Sequence, residues 1–316
     1  MNGITAVVGA LLILLILWDV FAVMVLTRRA TRQLQLTRTL VLAFRRVYAA
    51  FGRRVQDRTR RENYLSVFGP LFLFLRFAAW AVGLIVGFAL LQWAAGSQVV
   101  APDGAAPFTK VVYASGTTFF TVALGEVTPH SPLPALLNVS EAAAGFLFLG
   151  LVICYLPVFY QDYSQREVRL ALLDEWAGSP PSAGELLRRL GADHALSELN
   201  PFLQEWEEWS AQLLESHLSY PVLAFFRSQH ENQSWVSALA TILDVSALVQ
   251  VGIKDINPRT ARLTFAMARH TAVDLSQSLN AAPRDSKTDR LPPQDLVRLR
   301  SLLRSHGIQL AEAGHL

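Results

Sequence analysis

The sequence predicts an all-α membrane protein, and three observations carry that prediction. Of 316 residues 52% are hydrophobic and only 17% charged, with a mean hydropathy of +0.31; a soluble domain of this size usually carries more charge. The apolar residues are concentrated before residue 161, in three runs long enough to cross a bilayer as helix, which takes about 20 residues. Beyond Gln161 shorter helical periodicities appear among charges, the pattern of a helical domain outside the lipid.

The first run, roughly Ile4 to Thr27, carries Asp19 as its one charge. A signal peptide would have basic residues before the apolar core and a small-residue cleavage site after it. Arginines follow instead, so residues 1–27 read as an uncleaved N-terminal transmembrane helix. The linker 28–66 holds eleven arginines against Asp57 and Glu62, a net of +9, whereas 161–316 has fifteen basic and nineteen acidic residues, a net of −4. Juxtamembrane arginine is retained on the cytoplasmic face. That places the N-terminus outside, the link around Gly96 to Ala106 outside, and everything after Tyr160 in the cytoplasm, in a multi-pass protein of the cell membrane. A basic block bracketed by apolar segments is not a nucleic-acid-binding tail. Leu36, Leu40, Leu42, Phe44, Val47 and Phe51 fall close to helical spacing within it. Two readings fit: an amphipathic helix on anionic lipid of the inner leaflet, or a helix packed on the C-terminal domain. The arginines lie outside the apolar spans, unlike those of a voltage sensor.

The second span, about Val67 to Trp93, contains Arg76, and the third, about Ala135 to Tyr160, has Glu141 near its start. Asp19 and Arg76 both fall roughly 12 to 14 Å in from the cytoplasmic boundary at the rise of a helix. Lone charges at that depth are expensive and pairing is the usual remedy. An Asp19–Arg76 ion pair is therefore expected to hold the first helix on the second, with snorkelling of each charge to the interface as the alternative.

Between the second and third spans lies Phe108 to Phe120, too short to cross, followed by the polar, glycine-bearing stretch within TTFFTVALGEVTP, Thr117 to Pro129. Irregular backbone at membrane depth survives only where it is buried in protein or faces a water-filled cavity. The short helix therefore reads as re-entrant. This order of long helix, short helix, polar loop and long helix resembles the tetrameric cation channels built on two helices and a pore loop, best known from potassium channels. The resemblance covers roughly 67–160. It implies a pore-loop channel architecture with one additional N-terminal transmembrane helix (1–27), a pore domain (67–160) and a helical cytoplasmic domain (161–316).

Laid on the family's T-V-G-Y-G-D filter, Thr121 matches the threonine of the innermost ion site, Val122 the valine, Gly125 the second glycine and Glu126 the acidic residue at the outer mouth. Pro129 falls where the family often has a proline. Ala123 stands in place of the first glycine and Leu124 in place of tyrosine or phenylalanine. An alanine held in the left-handed region costs about 1–2 kcal/mol per subunit, so the filter geometry is expected to be altered and strict potassium selectivity weakened. The resemblance makes Gly150 a candidate hinge on the third span, with packing alone as its other reading; Pro157, near the cytoplasmic exit, lacks an N–H and is expected to perturb the helix there, as a candidate gate. Ala142, Ala143, Ala144 and Gly145 allow close approach to the pore helix.

In 161–316 helices are expected at Ser164 to Trp176, Ala183 to Leu190, Phe202 to His217, Tyr220 to Arg227, Ser234 to Val251, Thr260 to Leu279 and Gln294 to His306, with Pro180–Pro181 as a linker and Ala281 to Asp289 polar and loose. Trp206, Trp209, Trp235, Leu239, Ile242 and Leu248 read as their core. No Gly-rich phosphate loop, metal-ligand spacing or serine–histidine–aspartate order is present, and Cys154 as sole cysteine excludes an intrachain disulfide. His217 and His230 beside Glu215 and Glu231 read either as surface groups or as a metal or proton sensor. No enzyme, resident metal or cofactor is expected. The expected function is a homotetrameric cation channel passing potassium or, with weak selectivity, another monovalent cation. A non-conducting membrane signalling or scaffold protein that keeps the pore architecture is the alternative.

Overall fold

The computed structural model describes residues 2–24, 48, 57–96, 100–101, 104–105, 107–122, 131–228, 232–253, 258–281 and 289–310. The chain divides into two compact units, Met1–Phe159 and Tyr160–Leu316.

The first unit is built from α1 (Asn2–Met24), the short α2 (Arg58–Ser66), α3 (Phe68–Ala94), a two-residue antiparallel ladder of β1 (Val100–Ala101) with β2 (Gly104–Ala105), α4 (Phe108–Phe119) and the membrane part of α5 (Pro132–Ala177). Among the described residues, three helices are long and apolar enough to cross a membrane: α1, the α2–α3 segment and α5. Helices α1 and α3 run antiparallel, with Gly9 lying on Gly87 and Leu90, Ile13 on Gly87, and Ile16 on Gly83. A methyl group at Gly9 would stand 2.8 Å from the Gly87 carbonyl oxygen and one at Gly87 would stand 2.7 Å from Ile13. Glycine here lets two backbones meet, the mode of packing that serves where lipid supplies no hydrophobic drive between helices. Ile13, Ile16, Val20, Trp80, Leu84 and Phe88 fill the seam.

Helix α5 also runs antiparallel to α3. Gln92 near the C-terminus of α3 donates to the Pro134 carbonyl (3.3 Å) and to Asn138 (3.2 Å), and Phe77 near its N-terminus meets Tyr155 edge-on at 6.1 Å. Within this unit the C-terminal end of α1, the N-terminal end of α3 and the Tyr155 region of α5 therefore lie at one end of the bundle. Tyr48 is buried there, stacked on Tyr64 at 4.2 Å and packed on Phe68. The expected amphipathic helix of the basic linker lies, apart from Tyr48, outside the described residues.

The second unit packs the rest of α5 with α6 (Ala183–Ala192), α7 (Leu199–Ser219), α8 (Trp235–Gly252), α9 (Pro258–Ser278) and α10 (Pro293–Ser305). Ser182 caps α6 by accepting from the Glu185 N–H at 3.3 Å, which satisfies an orphan donor of the first turn. The core holds Leu173, Leu186, Leu199, Trp206, Trp209 and Ile242. The helix expected at Tyr220 to Arg227 is instead a 3-10 turn, Pro221–Phe225, gripped by the side chains described below.

Candidate functional site

The site is built around α4. Twelve residues of helix span roughly 18 Å, against about 30 Å of hydrocarbon. Pro107, in extended backbone, stands at its N-cap, where a missing N–H is harmless. One stripe of α4, Val111, Ser115 and Phe119 at i, i+4 and i+8, is buried, as the helical period dictates. Phe119, fully buried, packs on Phe148 of α5 at 5.8 Å, and its carbonyl lies where a side chain at Gly145 would have to go. Gly145 is thus the close-approach position that the run of small residues signalled.

Ser115 joins three helices. Its hydroxyl lies 2.8 Å from the Ile85 carbonyl of α3 and hydrogen-bonds Glu141 Oε1 of α5. Glu141 is fully buried, and Oε2 has no hydrogen-bond partner. The short helix is consequently wedged between the two antiparallel spans, tied to both at one serine.

The end of α4 is a hydrogen-bonded reversal. Val122 N–H donates to the Thr117 carbonyl at 2.8 Å and Thr121 N–H to the Thr118 carbonyl at 3.0 Å, with Thr121 at φ +57°. That is the Schellman arrangement, with threonine where glycine is usual. Thr121, a non-glycine residue, holds the left-handed backbone two residues before Ala123, the position where the sequence reading places a left-handed residue. Val122 is exposed in the single protomer and the Thr117 hydroxyl donates to Ala114 within its own helix. Ala123, Leu124, Gly125 and Glu126 lie outside the described residues, as does Pro129.

Asp19 and Arg76, both buried, meet at one indole. Trp80 Nε1 donates to Asp19 Oδ2 at 2.8 Å, and the Arg76 guanidinium lies over the Trp80 ring, 4.6 Å from its centroid. Trp80 was missed from sequence; its one signal is the i, i+4 spacing from Arg76. Gly150 has nothing within 4 Å of where a side chain would begin, and α5 runs unbroken through Pro157. Proline was expected to perturb the helix; the structure shows that the i−4 bond it forfeits does not interrupt it. Cys154 is exposed on the same helix.

In the second unit the polar centre is Arg166, buried on α5. Its Nη1 donates to the Leu223 carbonyl (3.0 Å), Nη2 to the Phe226 carbonyl (2.8 Å), and Nη2 also pairs with Glu167 at 3.0 Å. His217, expected at the surface or in a sensor with His230, is buried. Its Nδ1 faces the Leu213 carbonyl at 2.9 Å and its Nε2 faces Arg166 Nη1 at 3.4 Å. A carbonyl requires a donor and a guanidinium an acceptor, so the ring is the neutral Nδ1–H tautomer. Burial, then the Arg166 charge, push its pKa down to about 3. His230 and Glu231 lie outside the described residues, and among the described residues no three His, Cys, Asp or Glu side chains group as metal ligands. A cleft of about 670 Å³ between α5 and α7 is walled by Asp162, Arg169, Glu215 and Tyr220 among others; partial burial, then Glu215, raise the pKa of Asp162.

No protein-family model matches the chain, and no solved structure matches it. It is similar to the uncharacterized membrane protein YdjJ of Bacillus subtilis (strain 168), at 22% identity over 197 residues, which cover 60% of this chain and 56% of that relative. With three apolar spans and this similarity, the chain is a helical membrane protein. The chain thus spans little more than half the length of the relative it matches.

Proposed function

We propose that the chain is the subunit of a homotetrameric channel that conducts potassium or, with weak selectivity, other monovalent cations by passive flow. One observation carries this reading: a helix too short to cross is wedged between two antiparallel spans and ends in a left-handed polar turn at Thr121. Polar backbone at that depth needs protein or water around it, and backbone carbonyls aimed at a dehydrated cation on a shared axis meet that need. A ring of such carbonyls requires several copies of a chain that has one loop. The large apolar side chains that one protomer leaves exposed on α5, among them Phe146, Leu147 and Ile153, suit contact with neighbouring copies and lipid. The linker arginines orient the assembly with its N-terminus outside and its second unit in the cytoplasm. Ala123 and Leu124, where the related filters carry glycine and an aromatic residue, favour weaker discrimination between potassium and sodium.

Purified protein reconstituted into liposomes tests the proposal by cation flux down a concentration gradient. Flux of potassium that exceeds that of empty liposomes, with no chloride flux, is the expected result. Correctly folded oligomers that leave the gradient intact would favour the non-conducting scaffold instead.

A further inference from the structure

We propose that Glu141 is a positioning residue for the pore helix, acting as a neutral carboxylic acid that donates to Ser115. This rests on the channel reading for its consequence but not for its chemistry. Ser115 Oγ has two oxygen neighbours, the Ile85 carbonyl at 2.8 Å and Glu141 Oε1. A serine hydroxyl supplies one proton, and two oxygens in close contact without a proton between them repel. With the serine proton on the Ile85 carbonyl, the second contact is a hydrogen bond only when Glu141 supplies its own. The surroundings agree. Glu141 is fully buried in the bundle, Oε2 has no hydrogen-bond partner, and no basic side chain among the described residues lies within ion-pair distance. A carboxylate so placed would lack compensation, and such a group neutralises.

The relay therefore runs Glu141 O–H to Ser115 Oγ, and Ser115 O–H to Ile85 O, one direction across α5, α4 and α3. Ser115 lies six residues before Thr121. It fixes how far α4 rotates about its axis, and hence where the turn at Thr121 points. The buried stripe Val111–Ser115–Phe119 holds the rest of that face. A glutamine at 141 can make the same donation with its amide N–H; an alanine leaves Ser115 with no partner on α5.

Infrared spectroscopy of the reconstituted full chain tests the chemistry whether or not the chain conducts. The spectrum of wild type minus Glu141→Gln, with carbon-13-labelled glutamate to assign the band, is expected to show loss of a protonated-acid C=O stretch at neutral pH. Loss of a carboxylate band pair instead overturns the proposal. Flux tests the positioning. Glu141→Gln is expected to conduct within about threefold of wild type, while Glu141→Ala and Ser115→Ala fall about tenfold or more, the scale of a lost buried hydrogen bond, at matched oligomer yield. Flux of Glu141→Ala equal to wild type overturns the positioning role. A silent wild type that keeps the acid band contradicts the channel reading and leaves the neutral donor standing.

Discussion

Asp19, Trp80 and Arg76 show how charge is accommodated in the apolar bundle: the indole gives its N–H to the carboxylate and its face to the guanidinium. A cation over a tryptophan ring gains about 2 kcal/mol when desolvated, and a stranded buried charge costs more than that. Asp19→Leu alone should therefore lower thermal stability in detergent more than Asp19→Leu combined with Arg76→Leu, and Trp80→Phe, which keeps the ring but loses the N–H, should cost about 1–3 kcal/mol. Strict additivity in that double-mutant cycle would contradict the link. His217 makes a second residue-scale case. In the unfolded chain an imidazole protonates below about pH 6.5, whereas here burial and Arg166 hold it neutral down to about 3. Its contribution to stability is thus fully present above about pH 6.5 and is lost as pH falls from there toward 3. Nitrogen NMR of labelled histidine should show a neutral Nδ1–H ring at pH 5; an imidazolium signal at that pH would refute the assignment. Asp19 and Arg76 were legible as charges in need of partners. Trp80 and Ser115 were not, because a tryptophan in an apolar run reads as packing and a serine in a short helix reads as tolerated. Only the fold shows which face of each helix meets another.

The short helix and the two spans that hold it were the most legible elements, since length against bilayer thickness decides what can cross. Less legible was how the helix ends. Thr121 has no glycine or asparagine to announce a left-handed residue, yet the Schellman bonds from Thr121 and Val122 close the helix there. The 3-10 turn Pro221–Phe225 was read as helix because the carbonyls that Arg166 engages come from far along the chain. On α5, two glycines of the same type have opposite meanings. Gly145 meets the Phe119 backbone, whereas Gly150 faces open space within the protomer. Gly145→Ala should therefore displace α4 and reduce the yield of folded protein several-fold, while Gly150→Ala should leave that yield unchanged, both read by size-exclusion chromatography. Equal yields would mean that α4 and α5 are not in backbone contact. Gly150→Ala also separates its two roles: unchanged yield with altered opening marks a hinge, and no change in either marks a glycine of no consequence.

For the whole molecule, the described residues hold three apolar segments, α1 and α5 each antiparallel to α3, in one compact unit, and a second, helical unit from Tyr160 to Leu316. That architecture was legible from hydropathy and charge, because lipid imposes both on the sequence. The proposed cation path would depend on backbone direction around an axis shared by several chains, which one chain's sequence does not encode residue by residue. The claim that these loops form a cation path is tested most directly by recording from the purified oligomer in a planar bilayer under a tenfold potassium chloride gradient. Discrete currents whose reversal potential moves to the cation side, toward the limit of about 59 mV for a tenfold gradient of a monovalent ion, are the predicted result; a bilayer that stays silent, or a reversal on the chloride side, would contradict it.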